Sequence, residues 1–63
     1  MLVALALPLR KNFSYGVPAA FPTPEPGSRV RVPFGERVLT GVVLSHGGEK
    51  TPGLREIVEI LDI

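Results

Sequence analysis

Phe13, Tyr15 and Phe34 are three of the four aromatic residues in this sequence, and Arg10, Lys11, Arg31 and Arg37 flank them along the chain. Rings interleaved with cations suit a single-stranded nucleic acid. The ring faces stack on bases, each stack worth about 1–3 kcal/mol by alanine substitution, while the cations follow the phosphates. The same rings would serve as core, and in so short a chain at least two of them are expected there. Tyr15 is expected to be buried with its hydroxyl paired, and Phe34 partly exposed at a turn. Gly35 sits in the reversal Pro33-Phe34-Gly35-Glu36, where glycine supplies a positive φ that other residues resist. It also leaves a backbone N–H and C=O open to a ligand, and backbone groups read a base edge independently of side-chain chemistry. A glycine required for the turn alone fits that position equally well.

Catalysis finds little support. The chain has no Cys, and His46 is its only His, so neither a disulfide framework nor a Cys/His zinc site can form. There is no phosphate-cradling G-x-x-x-x-G-K-[ST] loop. Ser45 and His46 are adjacent, but neighbours on an extended chain point to opposite sides, and no acid is placed to orient the imidazole. His46 reads as a solvated loop residue. Glu56 and Glu59 read as charges that keep the exposed side of the last segment soluble, rather than as an acid–base pair. A non-catalytic binding module with no cofactor of its own is the expectation.

With 63 residues there is room for a single domain, 1–63. A chain of this size buries only about 60% of the surface its unfolded form exposes, and it lacks the disulfide or metal staples that usually compensate. Marginal stability follows, together with the expectation that this is the N-terminal part of a longer protein. The apolar opening from Met1 to Leu9 has its basic residues, Arg10 and Lys11, after the run instead of before it, the wrong order for a secretory signal. It is also far short of the ~20 residues that span a bilayer. A cytoplasmic protein without a membrane partner is expected, and the absence of Cys agrees. Net charge is only +1, but from Met1 to Arg37 five bases face Glu25 and Glu36, whereas acids outnumber bases from Val38 onward. That asymmetry suggests a local basic surface, although a plain solvated face would have the same composition.

These residues need a scaffold, and the pattern points to a mainly β fold. Leu2 to Leu7 is a continuous apolar run, as in a strand covered on both faces, ended by Pro8. Phe13 to Val17 reads as a second strand, ended by Pro18. Four prolines in the ten residues Pro18–Gly27 exclude a helix and predict an extended connector, with Phe21 folding back as an anchor. Arg29-Val30-Arg31-Val32 alternates strictly, placing two arginines on one face. The strand is expected to stop at Pro33, reverse, and return from Arg37 to Ser45 with Gly41 in its interior. His46 to Gly53 has loop composition. Leu54 to Ile63 fits either a short helix, with Leu54, Ile57 and Leu61 on one face, or a strand over Ile57–Leu61. The branched residues favour the strand. The sum is a small, partly closed β-barrel of about five short strands, a Pro-rich connector, and one short C-terminal helix if that segment is not extended.

Taken in order, Val3-Ala4-Leu5-Ala6-Leu7-Pro8-Leu9, Phe13-Ser14-Tyr15, Gly27-Ser28-Arg29-Val30-Arg31-Val32-Pro33-Phe34-Gly35, Gly41-Val42-Val43 and Leu54 to Asp62 resemble one family. It is the N-terminal 3′-end-binding domain of PriA, primosomal protein N-prime, the bacterial replication-restart helicases. The resemblance covers essentially the whole chain. It implies sequence-independent binding of the 3′-hydroxyl end of a nascent strand at stalled or repaired replication forks, positioning a helicase. Phe13 and Ser14 would form one wall of the pocket and Gly35 another. Arg55 stands where the family commonly has a lysine. Arg10, Lys11, Arg31 and Arg37 are the candidate phosphate contacts. ATP, Mg and Zn would belong to a downstream helicase part, and single-stranded-DNA-binding protein and other primosome proteins would be met through the parent chain. Ser14 departs from the acidic residue often found there, so its contact with a 3′-hydroxyl carries no charge and should be weaker. A 3′-phosphate, adding charge and bulk at the hydroxyl's place, is expected to be rejected.

Two other classes fit the same residues. A protein-interaction barrel would use the Pro-rich connector or a free strand edge for strand addition, and its binding would respond little to salt. An RNA-binding barrel would use the same basic and aromatic surface, and would prefer RNA to DNA through the 2′-hydroxyl.

Overall fold

The computed structural model describes residues 1–5, 11–47 and 53–62. Arg10, the latter part of the first apolar run and most of the glycine-containing loop fall outside them. Five strands form one antiparallel sheet: β1 (Leu2–Leu5), β2 (Asn12–Ser14), β3 (Arg29–Phe34), β4 (Arg37–Ser45) and β5 (Glu59–Ile60), in the spatial order β2-β1-β4-β3-β5. The described residues contain no helix. The last segment is therefore extended. Val58 N–H donates to the Arg31 carbonyl and Leu61 N–H to the Arg29 carbonyl, at 2.8 and 2.9 Å, so the free side of β3 captures it. Ile57 turns into the core and is 2% exposed.

The sheet curls without closing as a ladder. A parallel bridge joins Gly16, just past β2, to Glu56, just before β5. Gly16 N–H donates to the Arg55 carbonyl at 2.9 Å, and Ile57 N–H donates to the Gly16 carbonyl at 3.0 Å. Inside the curl lie Met1, Val3, Leu5, Tyr15, Val30, Val32, Val43 and Ile57, with Phe13, Phe21 and Phe34 among the half-buried residues against them. Alternation along β3 follows from the pleat: Val30 and Val32 are buried, Arg29 and Arg31 exposed. On β1, Val3 and Leu5 are buried while Leu2 and Ala4 are only half-buried, so the cover expected on its second face is partial.

Three local features differ from the sequence expectation, each for a backbone reason. First, β2 ends at Ser14 and does not run on to Val17. Tyr15 instead exchanges hydrogen bonds with Met1, its N–H to the Met1 carbonyl and its carbonyl accepting from the Met1 amino group. Gly16 then turns to meet Arg55 and Ile57. Second, β3 does not stop at Pro33 but includes it and Phe34. The carbonyls of Arg29 and Arg31 point toward β5, so Pro33, two residues on, points the same way, past the end of β5. No ladder donor is needed there, and the Pro33 carbonyl instead accepts from the Tyr15 hydroxyl at 2.8 Å. Third, the reversal is only Gly35-Glu36. Gly35 has φ +60° and Glu36 has no positive φ, the pattern of a type II′ turn with glycine first. His46, although exposed, is tied down: its Nε2 lies 2.7 Å from the Pro24 carbonyl and pins the connector to the end of β4.

Candidate nucleic-acid interface

Curling brings the end of β2 to the β3–β4 turn, although two strands separate β2 from β3 in the sheet order. The Phe13 and Phe34 rings meet edge to face, centroids 5.2 Å apart at 71°, an arrangement aromatic pairs favour. Beside them opens a cleft of about 530 Å³ lined by Asn12, Phe13, Ser14, Tyr15, Pro33, Phe34, Gly35, Gly53, Leu54 and Arg55. Residues from three separated stretches of chain converge there.

Each wall has an identifiable support. Phe13 pairs with the fully buried Val3 across the β1–β2 ladder, and Ser14 with Leu2. Phe34 is the last residue before the turn and pairs with Arg37. Tyr15 is 5% exposed, and its hydroxyl bond to Pro33 ties the tail of β2 to β3. Burial raises the Tyr15 phenol above its ordinary value, and the positive charge of Arg55 opposes that rise. Arg55 is held through its own carbonyl by the Gly16 bridge, and its Nη1 donates to the Gly35 carbonyl at 3.1 Å. A Cβ at Gly35 would meet nothing within 4 Å, so the backbone at the turn faces open space.

All four residues assigned to the end-binding site, Phe13, Ser14, Gly35 and Arg55, line this cleft. Of the candidate phosphate contacts, the described ones, Lys11, Arg31 and Arg37, do not. Lys11 is exposed next to Asn12, and Arg37 is exposed just past the turn. Arg31 is on the exposed side of β3, with its Nη1 3.8 Å from a Glu59 carboxylate oxygen. Arg10 lies outside the described residues. The neighbouring Arg29 makes a two-pronged pair with Asp62, at 2.9 and 3.1 Å, which lowers the carboxyl of Asp62 through the Arg29 hydrogen bonds and raises Arg29. The arginines of β3 are thus matched by carboxylates from the last segment. Sequence reasoning did not assign Asn12, Gly53 or Leu54 to the site. Asn12 directly precedes Phe13, where the sequence pattern starts the strand, and the structure extends the strand to include it, whereas Gly53 and Leu54 arrive only through the Gly16 bridge.

No helix among the described residues is long and apolar enough to cross a membrane, and no cluster of His, Cys, Asp or Glu among them would hold a metal ion. Comparison with known proteins adds one positive finding. The family model of the PriA 3′ DNA-binding domain (3′BD) matches residues 2–63. No curated protein and no solved structure matches the chain.

Proposed function

The chain belongs to the PriA 3′ DNA-binding domain family, and on that premise we propose that the Phe13–Phe34–Arg55 cleft receives the 3′-terminal nucleotide of a DNA strand. The convergence of Phe13, Ser14, Gly35 and Arg55 on one open cleft carries this reading. The aromatic pair offers an apolar surface for the terminal base or sugar. Gly35 offers backbone atoms; its carbonyl already accepts from Arg55 and has a second lone pair. The Ser14 hydroxyl serves as the partner of the terminal 3′-hydroxyl, and Arg55 as the cation nearest the strand. Backbone groups, a sugar hydroxyl and a phosphate are the same for every base, so the site reads the end of a strand and not its sequence.

Such a domain is a binding module, and its use is positional. A protein acting at stalled or repaired forks must work at any sequence, and sequence-blind end binding would place an attached helicase at the nascent 3′ end. The test compares a short labelled linear strand with a circularised strand of the same sequence, by fluorescence anisotropy or competition at one fixed low salt. Tighter binding of the linear strand is expected. Equal binding of line and circle would show that the terminus is not what the domain recognises.

A further inference from the structure

Among the described residues that line the cleft there is one cation, Arg55, and no carboxylate. Arg55 also differs from the arginines of β3. Arg29 faces Asp62 and Arg31 faces Glu59, whereas Arg55 forms no ion pair with any described residue. Its bond to the Gly35 carbonyl uses one of the five N–H donors of a guanidinium and neutralises none of its charge. The other polar groups on the lining side chains are neutral: the Asn12 amide, the Ser14 hydroxyl and the Tyr15 hydroxyl.

Excluding a phosphate from the end of a strand requires a negative group to repel it or a wall to block it. The described lining supplies no negative group, and the cleft is open and about 530 Å³ in volume. A terminal phosphate monoester has a charge of about −1.5 to −2 and three strong acceptor oxygens. A guanidinium is the side chain best matched to such a group, by charge and by its fork of donors. The Asn12 amide can donate as well.

We propose that this cleft accepts 3′-phosphate-terminated DNA strands as well as 3′-hydroxyl ones, contrary to the rejection that the family resemblance implies. The inference rests on the end-binding reading above and extends its ligands to 3′ ends left blocked by strand breakage. Ser14 is then the specificity-setting position. A carboxylate there would put a negative charge against the terminal phosphate and restore discrimination.

Three labelled strands of one sequence test this with the unmodified chain: 3′-hydroxyl linear, 3′-phosphate linear, and circular. The expected result is that the two linear strands bind within about threefold of each other and both about tenfold tighter than the circle, the order of one net hydrogen bond. Ser14→Asp should open a ratio of about tenfold or more in favour of the hydroxyl end, by like-charge repulsion. If the phosphate-ended strand binds no better than the circle while the hydroxyl-ended strand binds better, the proposal is overturned and end binding stands. If all three bind alike, or none binds, the end-binding reading fails and takes the proposal with it. Should Ser14→Asp not fold, as judged by its circular dichroism, the three-strand comparison decides alone.

Discussion

Replacing Gly41 with alanine should unfold much of this domain at ordinary temperatures. Gly41 is buried in β4, opposite Leu5 of β1 on one side and Val30 of β3 on the other. A Cβ there would lie 2.5 Å from Val3 Cγ1, 2.8 Å from Leu5 Cδ2 and 2.9 Å from the Ala4 carbonyl oxygen. The two side chains are buried core residues with little room to rotate, and the carbonyl belongs to β1 itself, so relief means parting β1 from β4. Overpacking a core ordinarily costs about 1–3 kcal/mol, and a clash with backbone belongs at the top of that range. At roughly 0.05–0.15 kcal/mol per residue, a chain of this length has about 3–9 kcal/mol in total, so a loss of about 3 kcal/mol removes a third of it or all. With each kcal/mol moving Tm by about 4–8 °C in so small a domain, a fall of about 12–24 °C is expected. Thermal melts followed by circular dichroism measure it. Gly47→Ala is the control, because its nearest neighbour would be the Ser45 hydroxyl at 3.7 Å. Because β1 also carries β2, with Phe13 and Ser14, DNA binding should disappear together with the fold. A Gly41→Ala protein melting within about 2 °C of the parent would refute the close β1–β4 approach from which this magnitude is worked.

Further outcomes follow from the same contacts. Tyr15→Phe removes the hydroxyl bond to Pro33 and should cost about 0.5–1.5 kcal/mol in urea unfolding. The folded state holds the Tyr15 proton more tightly than the unfolded chain does. The contribution of Tyr15 to the parent's stability should therefore be level below about pH 10 and fall as pH rises from there through the raised value; Tyr15→Phe should lose that alkaline fall. Asp62 behaves oppositely, since Arg29 lowers its carboxyl from the ordinary 3.8. Its support is present above that value and lost as pH falls through the lowered one, so Asp62→Asn should flatten the acid side of a stability–pH curve. Arg55→Ala should weaken single-strand binding and make the slope of log K against log salt shallower by about 0.7, the share of one phosphate contact. An unchanged slope would take Arg55 off the DNA.

The all-β character, the β3–β4 hairpin and the identity of the family were legible in the residues alone, because each rests on local chemistry. Strict alternation in Arg29–Val32, glycine at the turn and the prolines of the connector act over a few residues, and the family signature is an order of such pieces. Phe13, Ser14, Gly35 and Arg55 were also named in advance, through the resemblance. The resemblance also placed them around one pocket, but the contacts that build it were not legible. Phe13 meets Phe34 only because the sheet curls, and Arg55 reaches Gly35 only because Gly16 bridges to Glu56 and sets that backbone in place. The roles of the cations were decided the same way. In sequence Arg29, Arg31 and Arg55 are equivalent charges, but pairing of the last segment against β3 delivers Asp62 and Glu59 to the first two and leaves Arg55 facing the cleft. Composition determines how much charge this chain has. Which of these arginines meets a carboxylate among the described residues depends on contacts between residues more than 20 positions apart, and only the folded backbone sets those.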